Sequence, residues 1–406
     1  MNYYFFINKL PSLNYYKKYF YSYNTCFVFL TLSLIIVSFS LLPSTAIDKV
    51  WASTAEPKDI PTYMITTRDF QGYPEGVNDS GFNNNYQFNN ISQLFESCPA
   101  EIVFFIHGYD NNNENAKEQL DRVKISLEHN NYTDISLIGY SWPSDTGFTP
   151  EGWIKAKQLS IIEGKKLAEF ILNYIDTCQQ EFNKKSEVRL IGHSLGGRLI
   201  LSTLNTLNNN QTWNDNGYQI SSVHLLGAAV DNEEISKNQL DITNDWTNWN
   251  TVKTIAYGNA IEKQVINFYN LYSSEDNIYQ PNFIFPFFPY QIYPSAESDW
   301  ALGQSGYQTI PYDIALSLPK NYNQINVQNE MPPLCDSDGD GKIDETFYPN
   351  SAIQIGDNHG GYLGFRDPTN NSNLLDDGSM DIVVSNWKNI TPLPINQPIE
   401  LTSICS

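Results

Sequence analysis

Along this chain the hydrophobic positions fall into short unbroken runs, separated by stretches in which they recur every three or four residues. Ile102-Val103-Phe104-Phe105-Ile106 is apolar at every position, the mark of a strand covered on both faces. Ala116, Leu120, Val123 and Leu127 follow at helical spacing, and Ile135 to Tyr140 predicts the next strand. Ile161, Ala168, Ile171, Leu172 and Ile175 mark one face of a long helix, Val188 to Ile191 another buried strand, and Ile200, Leu204 and Leu207 another helix. Strands at Ser222 to Ala228 and Val265 to Leu271 flank an irregular helical stretch rich in Trp and Asn. Upstream, Thr62 to Thr67 predicts a first strand, and the Asn/Gly-rich stretch Val77 to Asn90 a loop. Such alternation belongs to the α/β class. It implies a mostly parallel, doubly wound sheet whose ligands bind at the carboxyl ends of the strands.

The N-terminus is patterned differently. Cys26 to Leu42 is an apolar run preceded by Lys9, Lys17 and Lys18 and followed by small-residue sites ending at Ala46, Ala52 and Ala55. It reads as a secretory signal or, being close to the ~17 residues that can span a bilayer, as an uncleaved anchor. We therefore divide the chain into a signal peptide or anchor over 1–52 and a single folded domain over 53–406. The formal charge of -21 argues against nucleic acid and anionic membrane surfaces as partners and suits a secreted or cell-surface protein. Export leaves Cys98, Cys178, Cys335 and Cys405 as an even set. Cys98 precedes a strand and Cys178 ends a helix returning to the same edge of the sheet, which pairs them; Cys335 pairs with Cys405 by remainder.

The candidate chemistry begins where Val188 to Ile191 meets the next helix, in Gly192-His193-Ser194-Leu195-Gly196-Gly197. A serine on so tight a strand-to-helix turn needs small flanking residues, which Gly192 and Gly196 supply. The amide of Leu195 then stands at a helix N-terminus, aimed at an oxyanion formed on a carbonyl under attack. Ser194 needs a base held by a carboxylate. Of the five histidines, His107 and His193 flank glycine turns, His129 falls at a helix end and His224 lies within a strand. His359, in a Gly-rich loop after the apolar run Ala352 to Ile355, is the expected base. For the acid, Asp276 follows the strand Val265 to Leu271, Asp231 follows the previous strand, and Glu275 is adjacent; Asp276 is preferred, with Asp231 the alternative acid.

Together, His107-Gly108-Tyr109, Ser141-Trp142-Pro143-Ser144, the Ser194 turn and the Asp276 and His359 loops resemble the α/β-hydrolase superfamily. Within it they most resemble a lipase/esterase-like family of largely uncharacterised members that carry Trp-Pro-Ser after the fourth strand. The resemblance implies the α/β-hydrolase fold and serine hydrolase activity on a carboxylic ester, with the residue after His-Gly, Tyr109, giving a second oxyanion amide beside that of Leu195. A non-catalytic binding protein of the same fold, a thioesterase and a peptidase are the alternative readings.

An insertion from about Tyr279 to Pro349 separates acid from base. Phe283, Phe285, Phe287, Phe288 and Tyr290 alternate with Pro281, Pro286 and Pro289, which prevent a helix. We expect a lid or wall suited to an apolar acyl chain of a small-molecule or lipid-like ester. Its second half carries Asp336, Asp338, Asp340 and Asp344 with Gly341 at the sixth position, the spacing of a calcium loop over 336–347 in which Lys342 would supply a backbone carbonyl. Position twelve is Phe347, where a bidentate Glu is usual. We expect a structural Ca²⁺ there and no cofactor for catalysis.

Overall fold

A computed structural model describes residues 59–68, 87–88, 91–147, 149–237, 255–274, 276, 301–307, 317–328, 359–367 and 370–390. The chain divides into two units, Met1–Ala55 and Glu56–Ser406, and everything described here belongs to the second. The signal or anchor segment, the aromatic run Phe283 to Tyr290, the acidic loop Asp336 to Asp344, Glu275, Cys335 and Cys405 lie outside the described residues.

The elements run β1 (Thr62–Thr66), β2 (Gln87–Phe88), α1 (Ile91–Ser97), β3 (Glu101–Ile106), α2 (Asn113–His129), β4 (Ser136–Ser141), α3 (Pro150–Phe182), β5 (Glu187–His193), α4 (Gly196–Asn208), α5 (Gln211–Asp215), β6 (Ile220–Leu226), α6 (Gly258–Gln264), β7 (Val265–Tyr272), α7 (Leu302–Ser305), β8 (Tyr322–Asn326), β9 (Phe365–Asp367), β10 (Asn370–Asp376) and α8 (Met380–Lys388). The first eight strands form one sheet in the order β2-β1-β4-β3-β5-β6-β7-β8. Only β2 is antiparallel to its neighbour among these described strands. With helices on both faces, this is the α/β-hydrolase fold.

Strand β3 explains the layering. Ile102, Phe104 and Ile106 point into a core shared with α3 and α4, while Val103 and Phe105 point into a second core shared with α2 and α8. Burial of each such side chain contributes ~1.5–3 kcal/mol, so a strand that is polar on either face could not occupy the centre of this sheet. The helices begin where their sequences supply caps. The Asn112 side chain accepts from the Asn115 amide at the start of α2, and Thr149 caps α3 with Pro150 in its first turn.

Two expectations are corrected. The span read as an insertion, 279–349, contains α7 and the sheet's last strand, β8, so part of it is fold rather than appendage. Tyr-Asn-Gln-Ile-Asn shows no apolar run because β8 is an edge strand with mostly solvated side chains. The stretch read as a loop before Asn90 contributes β2, two residues extended by pairing with β1 rather than by a pattern of their own.

Candidate active site

Strand β5 ends at His193 and α4 starts at Gly196, leaving two residues for the reversal. Ser194 makes it with φ +53°, a left-handed conformation that costs a non-glycine residue on the order of 1 kcal/mol. Three backbone bonds hold it there. Its N–H donates to Leu226 O at 3.0 Å, and its carbonyl accepts from Gly197 N at 3.0 Å and Ala229 N at 3.1 Å. The flanking glycines are sterically required: a Cβ on Gly196 would stand 2.3 Å from Ile106 O, and one on Gly192 would stand 2.6 Å from Ile200 Cδ1.

The loop after β3 approaches the same serine. A Cβ on Gly108 would lie 2.7 Å from Ser194 Cβ and 3.2 Å from its Oγ, so only glycine lets this backbone pass. His107 and the Ser-Trp-Pro-Ser segment fix its path. The Trp142 amide donates to His107 Nε2 at 3.1 Å, which leaves His107 Nδ1–H to donate to Gly108 O at 2.9 Å. Trp142 Nε1–H donates to His107 O, and the two rings stack at 5.7 Å. Ser144 completes the cradle: its carbonyl accepts from Asp110 N and its Oγ from Asn111 N. Burial pushes the His107 pKa down to about 3, so His107 is a neutral buttress. Arg68 joins the parts by donating to Ser141 Oγ, Asp145 and the carbonyls of Asn111 and Trp142.

The amides of Leu195, at the head of α4, and Tyr109, next to Gly108, are thereby carried on the two backbones that meet at Ser194. The Tyr109 ring is half-buried, bonded through its hydroxyl to Gly147 O and set edge-on to Trp153 at 5.0 Å.

His359 opens a short 3-10 turn, His359–Leu363. Its Nδ1 lies 2.7 Å from Asp276 Oδ2, and Asp276 is fully buried in a turn closed by its own N–H on Ser273 O. A carboxylate only accepts, so Nδ1 carries the proton and Nε2 is the basic nitrogen of the neutral ring. Gly227, at φ +53°, leaves room for the pair, since a Cβ there would stand 3.0 Å from Asp276 Oδ2 and 2.5 Å from Tyr362 Cε2. The other sequence candidate, Asp231, lies 3.4 Å from Arg198 Nη2, and Glu234 binds the same guanidinium at 2.8 Å. The geometry therefore brings Asp276 to His359 and commits Asp231 to α4. Burial pushes Glu234 up to about 7 within this group.

The sequence reading passed over Arg122 and His193. Arg122, buried in α2, donates to Gly360 O at 2.6 Å and Gly364 O, and Ser126 Oγ donates to Leu363 O at 3.2 Å. Arg122 lies about a third of a turn away from the apolar stripe of Ala116, Leu120, Val123 and Leu127, so helical spacing carried no signal for it. His193 Nε2 lies 2.9 Å from His359 O, and the two rings are 4.7 Å apart. Thus His359 contacts the residue that precedes Ser194.

Cys98 and Cys178 are disulfide-bonded, joining the approach to β3 with α3 at a Cα separation of 5.6 Å. No group of three or more His, Cys, Asp or Glu suited to a metal ion occurs among the described residues.

Residues 83–278 match the model of a family described as "Alpha/beta hydrolase of unknown function (DUF900)". The matched span includes the His107 loop, the Ser194 turn and Asp276, and ends before His359. No curated protein matches the chain.

Proposed function

We propose that the protein is a serine hydrolase that cleaves a carboxylic ester by way of an acyl-enzyme. The observation that carries this reading is the 2.7 Å contact of His359 Nδ1 with buried Asp276, in a loop that touches the turn holding Ser194 at φ +53°. Ser194 Oγ attacks the ester carbonyl as His359 Nε2 accepts its proton. The tetrahedral oxyanion is held by the amides of Leu195 and Tyr109, and Asp276 stabilises the imidazolium without taking up the proton. Collapse breaks the bond to the alcohol oxygen, which leaves with the proton from His359. Water then attacks the acyl-enzyme by the same route, releasing acid and free Ser194.

The partly buried Tyr109 and Trp153 rings beside the serine loop support an apolar acyl group, as does the aromatic composition of Phe283 to Tyr290. The Cys98–Cys178 bond supports an exported protein. A structural Ca²⁺ on Asp336, Asp338, Asp340, Asp344 and the Lys342 carbonyl completes the reading, because four carboxylates so close together repel one another without a cation. A melting temperature unchanged by chelator rejects that ion.

The hydrolase reading is tested with a fluorophosphonate probe followed by peptide mass spectrometry. The parent should carry the label on Ser194 and the Ser194→Ala variant should carry none. Ester turnover should fall in that variant by a factor on the order of 10⁴ or more. A parent that neither labels nor turns over any p-nitrophenyl ester is a binding protein of this fold, and the proposal fails.

A further inference from the structure

The serine chemistry just described leaves His193 without a task, although it lies between Gly192 and Ser194 and its ring faces His359. The ring is buried, and its centroid stands 4.7 Å from that of His359 with the planes inclined at 40°. Its Nε2 is 2.9 Å from the His359 carbonyl oxygen. That oxygen can only accept, so Nε2 bears the proton. Nδ1 is buried and has no hydrogen-bond partner among the described residues. A second proton on Nδ1 would create an unsatisfied buried donor on a charged ring, which is costly. Burial first, and then the adjacent His359, push its pKa well below the ordinary histidine value. His193 is thus a donor with one fixed proton, unlike an acid or base that cycles.

We propose that His193 is a positioning residue whose Nε2–H holds the main chain of His359, so that the strand presenting the nucleophile also sets where the base stands. Asp276 fixes the rotation of the His359 ring through Nδ1, and the position about which the ring rotates is set by its backbone. Arg122 and Ser126 hold carbonyls further along the turn, at Gly360, Leu363 and Gly364. His193 acts on the carbonyl of His359 itself. The short lever matters because an error of ~1 Å in such a group costs about a hundredfold in rate.

This inference rests on the serine hydrolase reading, and its test separates the two. His193→Phe keeps a ring and removes the donor, whereas the side-chain amide of His193→Gln reaches about as far as Nε2 and restores it. With a p-nitrophenyl ester we expect the Phe variant to lose about tenfold to a hundredfold in kcat at unchanged KM, and the Gln variant to recover most of it. Proton NMR supplies a readout that needs no turnover: the His359 Nδ1–H resonance, assigned by its loss in His359→Ala, should shift in the Phe variant and return in the Gln variant. Unchanged kcat and resonance in the Phe variant overturn the inference. Equal losses in both variants assign the effect to ring packing and also overturn it. If the parent neither labels nor turns over, the hydrolase reading falls, while the resonance still decides whether His193 places His359. Should the Phe variant not fold, His193→Met, unbranched and without a donor, carries the same comparison.

Discussion

Ser194 occupies a backbone conformation that most residues avoid, and three main-chain bonds hold it there, so its side chain could be truncated without releasing the turn. The same logic separates the two carboxylates that sequence reasoning left in competition. Asp276 meets His359, while Asp231 shares Arg198 with Glu234. Asp276→Asn should therefore leave stability nearly intact and lower kcat by a factor on the order of 10³ to 10⁴, because an amide in that place favours the wrong imidazole tautomer. Asp231→Asn should do the reverse, costing about 1–3 kcal/mol of stability with kcat within tenfold of the parent, because it weakens a buried ion pair. Kinetics and urea unfolding of the two variants check this, and a larger kcat loss in Asp231→Asn would refute the assignment.

Elements carry these residues to one place because each strand ends where its loop is needed. β3 delivers His107 to Asn111, β4 delivers the Trp142 cradle that shapes that loop, β5 delivers Ser194 and β7 delivers Asp276. The opposite ends of the strands are tied separately. Cys98 and Cys178 are 80 residues apart in sequence and join the start of β3 to the last turns of α3, away from the carboxyl ends. Chain-entropy arguments for a loop of that length give a stabilisation of about 4 kcal/mol. Replacing both cysteines with serine should lower the unfolding free energy by about that amount, and leave kcat unchanged in the protein that remains folded. A kcat that falls with the bond would show that this end of the sheet is coupled to the site.

At the scale of the whole molecule, burial has made three histidines into neutral structural groups. It pushes His107 and His224 down to about 3, and it holds His193 well below its ordinary value. In the unfolded chain each titrates near ~6.5. As pH falls below that value the unfolded state takes up protons that the fold refuses, so stability drops by about 1.4 kcal/mol per pH unit for each ring. Glu234 acts in the opposite sense. Burial raises it to about 7, so between that value and the ordinary glutamate value of 4.5 the folded state holds the extra proton. Three rings against one carboxyl leave a net loss of roughly 3 kcal/mol per pH unit on moving down from pH ~6.5 toward ~5. Urea unfolding at those two pH values measures it, and a midpoint that is flat or rises with acid contradicts the account.

The parallel sheet was legible because central strands must be apolar on both faces, and β3 to β6 are separated by helices whose apolar spacing repeats at 3.6. The Ser194 turn was legible for a related reason: its glycines answer to contacts made by the immediate strand and helix. Pattern failed where a neighbour, rather than the segment itself, sets the conformation. β8 is a polar edge strand and β2 is two residues long, and both exist through pairing with longer strands. Spacing preferred Asp276 but left Asp231 as an alternative, since both follow strands. Only the fold brings Arg198 to one and His359 to the other, across separations in sequence that no local propensity spans. The same holds for His193 and Arg122, whose carbonyl partners lie in a turn near the end of the described chain. Local chemistry determined which residues could react, and tertiary packing decided which of them meet.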